Sequence, residues 1–246
     1  MLADERKAYL LGVLDRERRV VAKSVSAELQ VSEDTIRRDL RELAEAGLCV
    51  RVYGGALPIP EVERPVSQRA GVASDSKDRV ARAAVDLVDP GSTIALDGGT
   101  TAVSLARMLP PGAGLTVITP SPAVALALAE HTDARVLMIG GELSAHSLVN
   151  GGALAIEAIQ RLSADVFFLG AAGIHPEHGL TTGELDDAVT KRALAARSSR
   201  VFVLASEDKI GATSRYPIVG FDEVEGIVVD PRDDNPVIDR LPAVRR

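Results

Sequence analysis

Along the first sixty positions, apolar residues recur at helical spacing in short blocks. Leu10, Leu11 and Leu14 stand behind charged neighbours and predict an amphipathic helix over residues 3–15. Val20 and Val21 predict a brief extended segment. Val25 and Leu29, four apart, give a second helix over Lys23–Leu29 a buried face. Gln30-Val31 then leaves room only for a tight connection. A third helix opens at Ser32, whose hydroxyl can accept an otherwise orphaned backbone N–H of the first turn. Glu33 and Asp34 suit the positive end of that helix. Ile36, Leu40 and Leu43 supply its buried stripe, and Gly47 ends it. The run LCVRVYGGA, residues 48–56, predicts a hairpin or wing.

The period changes further along. Residues 58–75 are proline-bearing and without clean periodicity, a linker by composition. From residue 76 helical stretches alternate with short apolar runs at 92–97, 115–119, 135–140, 165–170, 200–205 and 225–229. Helices are expected at Lys77–Val88, Ser121–Ala129 and Glu184–Ala196. The apolar runs lack alternation, which predicts strands buried on both faces of a parallel sheet covered by helices. The expected organisation is a small helical domain over 1–57, a linker over 58–75 and an α/β body over 76–246.

Charge sharpens this division. The first sixty residues hold ten basic and ten acidic side chains, and the formal charge of −7 lies wholly in the remainder. A polyanion is therefore repelled by the body and has to be met by the first sixty residues. The start of the chain is charged and carries no signal-peptide core, and no apolar run is long enough to span a membrane. With Cys49 the sole cysteine, an internal disulfide is impossible. A cytoplasmic protein is expected.

Two short helices, a tight turn, a capped third helix and a hairpin compose a winged helix-turn-helix. On the third helix Ser32, Thr35, Arg38 and Glu42 fall near one face, and Arg37 and Arg41 lie about 100° around it. Thr35 and Arg38 are expected to reach base edges, and Arg37, Arg41 and the wing residue Arg51 to contact phosphates. Asp39 and Glu45 are assigned to solvent or to pairing with arginines. Taken alone, RRDL also reads as an ordinary solvated, ion-paired face.

In the body, LDGGTT (96–101) ends a predicted strand and opens a helix. Gly98 and Gly99 allow close backbone approach, Thr100 and Thr101 add hydroxyls, and the helix start carries partial positive charge, all suited to an anion. Asp97, at the strand's carboxyl end, is expected to accept bonds from hydroxyls of the ligand. A plain tight turn with a threonine cap is the other reading. Lys209, beyond the predicted strand 200–205, is either a point charge for a phosphate or a solvated loop lysine. His175, Glu177 and His178 have a metal-like spacing but no third histidine or cysteine nearby, so no metal is assigned. Cys49 reads as a small buried side chain.

The stretch VSEDTIRRDLRELAEAGLCVRVYGGA, residues 31–56, resembles the DNA-binding signature of the DeoR family of bacterial transcriptional regulators. VITPS (117–121), FLGAAGI (168–174), GLTTGELDDAVTKRAL (179–194) and VLASEDK (203–209) resemble motifs of that family's sugar-phosphate sensor domain. The resemblance implies a sheet body like that of ribose-5-phosphate isomerase. It also implies operator DNA and a phosphorylated sugar as partners, with no further cofactor. Residues of the GGTT loop and Lys209 would bind the effector, and Gly170, Ala171 and Gly173 would line the same pocket. Lys191 matches a family lysine, although a helix-surface ion pair accounts for it equally well. Two departures stand out: Pro120 where the family usually has asparagine, and Ser206 where it usually has aspartate. The expected protein is a repressor of carbohydrate genes that assembles as a dimer or tetramer. The alternative is an isomerase- or deaminase-like enzyme. That reading is opposed by Ala171 and Ala172, which stand where such enzymes carry paired acids.

Overall fold

The helical stripes of the N-terminal segment close on one another. α1 (Ala3–Glu17), β1 (Val20–Val21), α2 (Ala22–Leu29) and α3 (Glu33–Glu45) are followed by β2 (Val50–Val52) and β3 (Gly55–Leu57). This computed structural model describes residues 2–17, 19–46, 48–57, 66 and 71–245. The chain divides into two units, residues 1–61 and 62–246.

Leu10, Val13 and Leu14 of α1 pack with Val25 of α2 and with Ile36, Leu40 and Leu43 of α3. Ser32 caps α3 as its chemistry predicts, its hydroxyl accepting the Thr35 N–H at 3.2 Å. The expected stop at Gly47 lies outside the described residues; the helix closes with the Ala46 N–H donating to the Glu42 carbonyl at 2.9 Å. The wing is a three-stranded antiparallel sheet in the order β1-β3-β2. Gly55 is required there, because a Cβ would lie 1.8 Å from the Val20 carbonyl oxygen. The Ala22 N–H, donating to the Gly54 carbonyl at 2.9 Å, fixes the hairpin turn to the start of α2. Cys49 is buried beneath the wing, and burial pushes its thiol up.

The second unit contains a seven-stranded, all-parallel sheet. Its strands are β4 (Thr93–Leu96), β5 (Thr116–Thr119), β6 (Arg135–Met138), β9 (Ala164–Gly170), β12 (Ser198–Ala205), β14 (Gly226–Val229) and β15 (Val244–Arg245). Short antiparallel pieces flank it: β7 (Glu142–Leu143) with β8 (Asn150–Gly151), and β10 (Gly173–His175) with β11 (Gly179–Thr182) and β13 (Tyr216–Pro217). The helices are α4 (Ser74–Val85), α5 (Thr100–Met108), α6 (Pro122–His131), α7 (Gly152–Ile159) and α8 (Leu185–Ala196).

Alternate residues of the central strands feed opposite cores. Ile94, Leu96, Val166, Phe168, Phe202 and Leu204 pack under α4, α5 and α6. Ala95, Phe167, Leu169, Val201 and Val203 pack under α7 and α8. The sheet is thus doubly wound, as its unbroken apolar runs require. β6 departs from the expectation of strands buried on both faces. It is the edge strand, and only its central residues are half-buried while Arg135 and Met138 are exposed. α4 begins at Ser74, inside the stretch expected to be linker, and most of that stretch lies outside the described residues.

The strand order β15-β14-β12-β9-β4-β5-β6 places the reversal between β4 and β9. From β4 the chain adds strands on one side; from β9 it adds them on the other. Open α/β sheets form a crevice at the carboxyl ends of two such strands. Here those ends are Leu96-Asp97 and Gly170.

α4 is bolted to the sheet by Arg79, whose guanidinium donates to both oxygens of Asp230 at 2.7 Å. Asp230 is 1% exposed. The Arg79 bonds, helped by the Arg232 N–H, outweigh burial and hold its carboxyl down at about 2. The folded-state value lies below the ordinary one, so this contribution is present above about pH 4 and disappears as pH falls through about 2. Asp230→Asn is expected to cost about 2 kcal/mol at neutral pH. Urea unfolding of both proteins from pH 7 down to pH 2 checks this, and the difference between them should close below about pH 4.

Candidate functional site

In the first unit, the acids of the recognition segment are turned towards other residues. Asp39 is not a solvent residue: it is 3% exposed and takes a two-pronged pair from Arg6 of α1, one bond at 3.0 Å. Lys7 pairs with Glu42 at 2.5 Å, and Glu33 with Arg37 one turn along α3 at 2.6 Å. Arg38, Arg41 and Arg51 are exposed and make no ion pair with any described residue. The Ser32 and Thr35 hydroxyls bond each other at 2.8 Å, with Thr35 half-buried. A segment of near-neutral charge therefore presents a basic outer face, because most of its acids are neutralised by α1 or within the helix.

In the second unit, a cleft lies at the β4–β9 reversal. Gly98, Gly99, Thr100, Gly170, Ala171 and Lys209 line it, six of the nine residues expected there. Gly99 precedes α5 with φ +100°, a conformation that glycine adopts readily and that turns the chain into the helix. Lys209 reaches the cleft from a 3-10 turn, Glu207–Lys209, and is buried rather than a solvated loop lysine.

The other three expected residues sit elsewhere. Asp97 is fully buried; its Oδ2 accepts the Gly170 N–H at 2.8 Å and a close bond from the Lys191 ammonium. It faces inward to an ion pair, not outward to hydroxyls. Thr101 is 2% exposed and is not part of the lining. Gly173 is absent from the wall as well. Its hydrogen replaces a Cβ that would lie 2.5 Å from the Ala212 carbonyl oxygen, so it serves backbone packing. Pro120 and Ser206 also lie off the lining, so neither departure alters the cleft wall directly. The Ser206 hydroxyl donates to Asp208 at 2.6 Å.

Lys191 is not a helix-surface residue. It is 4% exposed, lines the cleft floor, and pairs with both Asp97 and Asp187, the latter at 3.1 Å. Asp187 in turn accepts the Thr182 hydroxyl at 2.5 Å. Burial works against the Lys191 charge, but the two carboxylates overcome it and raise its pKa. Burial pushes the Asp97 carboxyl up, with Lys191 opposing. The sequence carried a signal for this cluster: Asp187, Lys191 and Leu194 recur at helical spacing on a face that also buries Ala188. A larger groove of about 650 Å³ adjoins the cleft and shares His146, Ser147, Val149, Gly183, Glu184 and Asp187 with it.

Away from the cleft, His175 and His178 stack with ring centres 4.7 Å apart, and Glu177 between them pairs with Arg240 at 2.8 Å. Among the described residues, no helix is long and apolar enough to cross a membrane.

A helix-turn-helix with an exposed basic face, carried on the same chain as a switch-point sheet, defines a transcriptional regulator with a sensor domain. The chain belongs to the DeoR family. A DeoR-like helix-turn-helix domain matches residues 6–61, and a DeoR C terminal sensor domain matches residues 72–231. It is 33% identical to a putative aga operon transcriptional repressor of Escherichia coli O157:H7, over 92% of this chain and 86% of the relative. It is 30% identical to the transcriptional repressor GlcR of Bacillus subtilis strain 168, over 94% of this chain and 89% of the relative. The glycerol-3-phosphate regulon repressor of Escherichia coli K12 is 29% identical over 94% of this chain and 92% of its own. Among solved structures, ribose 5-phosphate isomerase A of Methanocaldococcus jannaschii matches with a TM-score of 0.39 at 19% identity. That match covers 53% of this chain and spans about half, 51%, of the isomerase. The family is one of DNA-binding regulators rather than enzymes.

Removing the shared cation tests the buried cluster. Lys191→Met leaves two carboxylates buried without their partner and is expected to cost about 3–5 kcal/mol in urea unfolding. Adding Asp97→Asn should recover part of that loss, because the two positions act as one unit.

Proposed function

We propose that the protein is a repressor whose hold on operator DNA is controlled by a phosphorylated sugar. The DNA half of this reading rests on Arg38, Arg41 and Arg51, exposed and in no ion pair with a described residue, beside a helix whose acids are largely neutralised. α3 enters the major groove, with Arg38 and Thr35 at base edges. Arg41 and Arg51 contact phosphates, joined by Arg37 once it exchanges Glu33 for a phosphate oxygen. The relatives' names support repression of carbohydrate or glycerol-phosphate genes.

The effector half rests on the cleft at the β4–β9 reversal. Its phosphate is received by the Gly98-Gly99-Thr100 backbone at the start of α5 and by Lys209. The sugar extends into the adjoining groove, whose wall includes Ser147 and Thr190. Asp97 contributes indirectly, by fixing Lys191 in the cleft floor. Exposed Leu126 and Met138 near the β6 edge, and Leu143 and Leu185 on the groove wall, suit self-association into a dimer or tetramer.

Arg38→Ala is expected to weaken cognate operator binding by about 1–3 kcal/mol, measured by titration at fixed salt. Unchanged affinity removes Arg38 from the reading set. Thr100→Ala and Lys209→Ala are expected to abolish stabilisation by the sugar phosphate that a thermal-shift panel identifies, with DNA binding retained. Both variants responding like the parent would place the pocket elsewhere.

A further inference from the structure

A phosphate held by the GGT loop and Lys209 leaves the rest of its carrier facing the adjoining groove, because the two hollows share Ser147, Gly183 and Asp187. At about 650 Å³ the groove falls in the ordinary range for small-molecule sites, about 300–1,000 Å³. Its wall holds unanswered polar groups. Thr190 is fully buried and lines the groove, and its hydroxyl has no hydrogen-bond partner among the described residues. It faces Gly151 on the same wall, whose absent Cβ would lie 3.4 Å from the hydroxyl oxygen. The Ser147 hydroxyl, in the wall common to groove and cleft, is likewise buried and without a partner among the described residues. Leaving a buried hydroxyl unpaired is costly, and a hydroxylated ligand answers both.

The charge of the groove is opposite to that of the cleft. Glu142 of β7, Glu184 and Asp186 at the start of α8, and Asp187 all line it. Asp187 is answered by Lys191. The other three form no ion pair with any described residue; Glu184 only accepts the Ser144 hydroxyl, at 2.8 Å. Among the described residues in the wall, His146 is the only basic one. Arg215 lines a smaller hollow with His146, Gly183 and Glu184, not the groove itself. The starts of α7 and α8 also face the groove, through Gly152 and Leu185. At about half a charge each they offset about one of the three carboxylates. Even with a charged His146 the balance stays negative.

We propose that the groove is a charge filter, which admits a hydroxylated tail and rejects a second phosphate, so that the effector is a sugar monophosphate and not a bisphosphate. The inference rests on the ligand reading above and names the end of the ligand that decides. Glu142 and Asp186 are the selecting residues. A tail hydroxyl donates to a carboxylate and pairs with Thr190. A tail phosphate brings negative charge to carboxylates that cannot bond it. Like charges placed against the wrong ligand lower its affinity without adding to that of the right one, which is how such a site discriminates between molecules of similar shape.

Inorganic phosphate, fructose 6-phosphate and fructose 1,6-bisphosphate, each titrated calorimetrically into the full-length protein, test this. The monophosphate is expected to bind about tenfold more tightly than the bisphosphate. Glu142→Gln combined with Asp186→Asn keeps the shape of two exposed side chains and removes their charge. In that variant the ratio should narrow to about threefold or less, the bisphosphate gaining most. A ratio unchanged in the variant means rejection by size and overturns the filter. Bisphosphate bound by the parent as tightly as monophosphate overturns it too, as does phosphate bound with neither sugar; in each case the phosphate site stands. None of the three ligands bound overturns the ligand site and the filter together.

Discussion

A single buried ammonium sets the plan of the sensor unit. Lys191 of α8 is shared between Asp97, which follows the central strand β4, and Asp187, one turn earlier on its own helix. Taking such charges out of water costs several kcal/mol per ion, so the cluster persists only where the remaining bonds are made well. Asp97 also takes the Gly170 N–H at the end of β9, and Asp187 takes the Thr182 hydroxyl of β11. These bonds fasten β4, β9, β11 and α8 together where the strand order reverses. The cleft is the concavity left above them. Because Lys191 already answers two carboxylates, it adds little net positive charge to the cleft above it.

The reading unit obeys the same rule of pairing acids so that selected bases stay available. Arg6 and Lys7 belong to α1, yet they neutralise Asp39 and Glu42 of α3. Without them those carboxylates would stand beside Arg38 and Arg41 and weaken their attraction for phosphate. Net charge over the segment is therefore a poor guide to its binding. The direction in which each charge is paired decides the sign of the exposed surface. Much of the affinity for DNA would come from such phosphate contacts and so fall steeply with salt, whereas specificity depends on the few side chains that reach base edges.

Much of this architecture was legible in the sequence because local rules and the global fold agree. The stripe Ile36, Leu40, Leu43 could face only one way on a helix capped at Ser32. The apolar runs beginning at 92, 115, 165 and 200 could be solvated on neither face. The parts that escaped notice depend on distant pairings. Nothing local distinguishes Asp39, buried against Arg6 thirty-three positions away, from Glu45, which is exposed. Asp97 looked like a ligand contact because it adjoins the glycine-threonine loop; only the arrival of α8 behind it turns the carboxylate inward. Gly173 resembled a pocket glycine until the approach of Ala212 gave it a packing role. β6 carries the same apolar signature as its neighbours, and its place at the edge follows from strand order, which no window of residues contains.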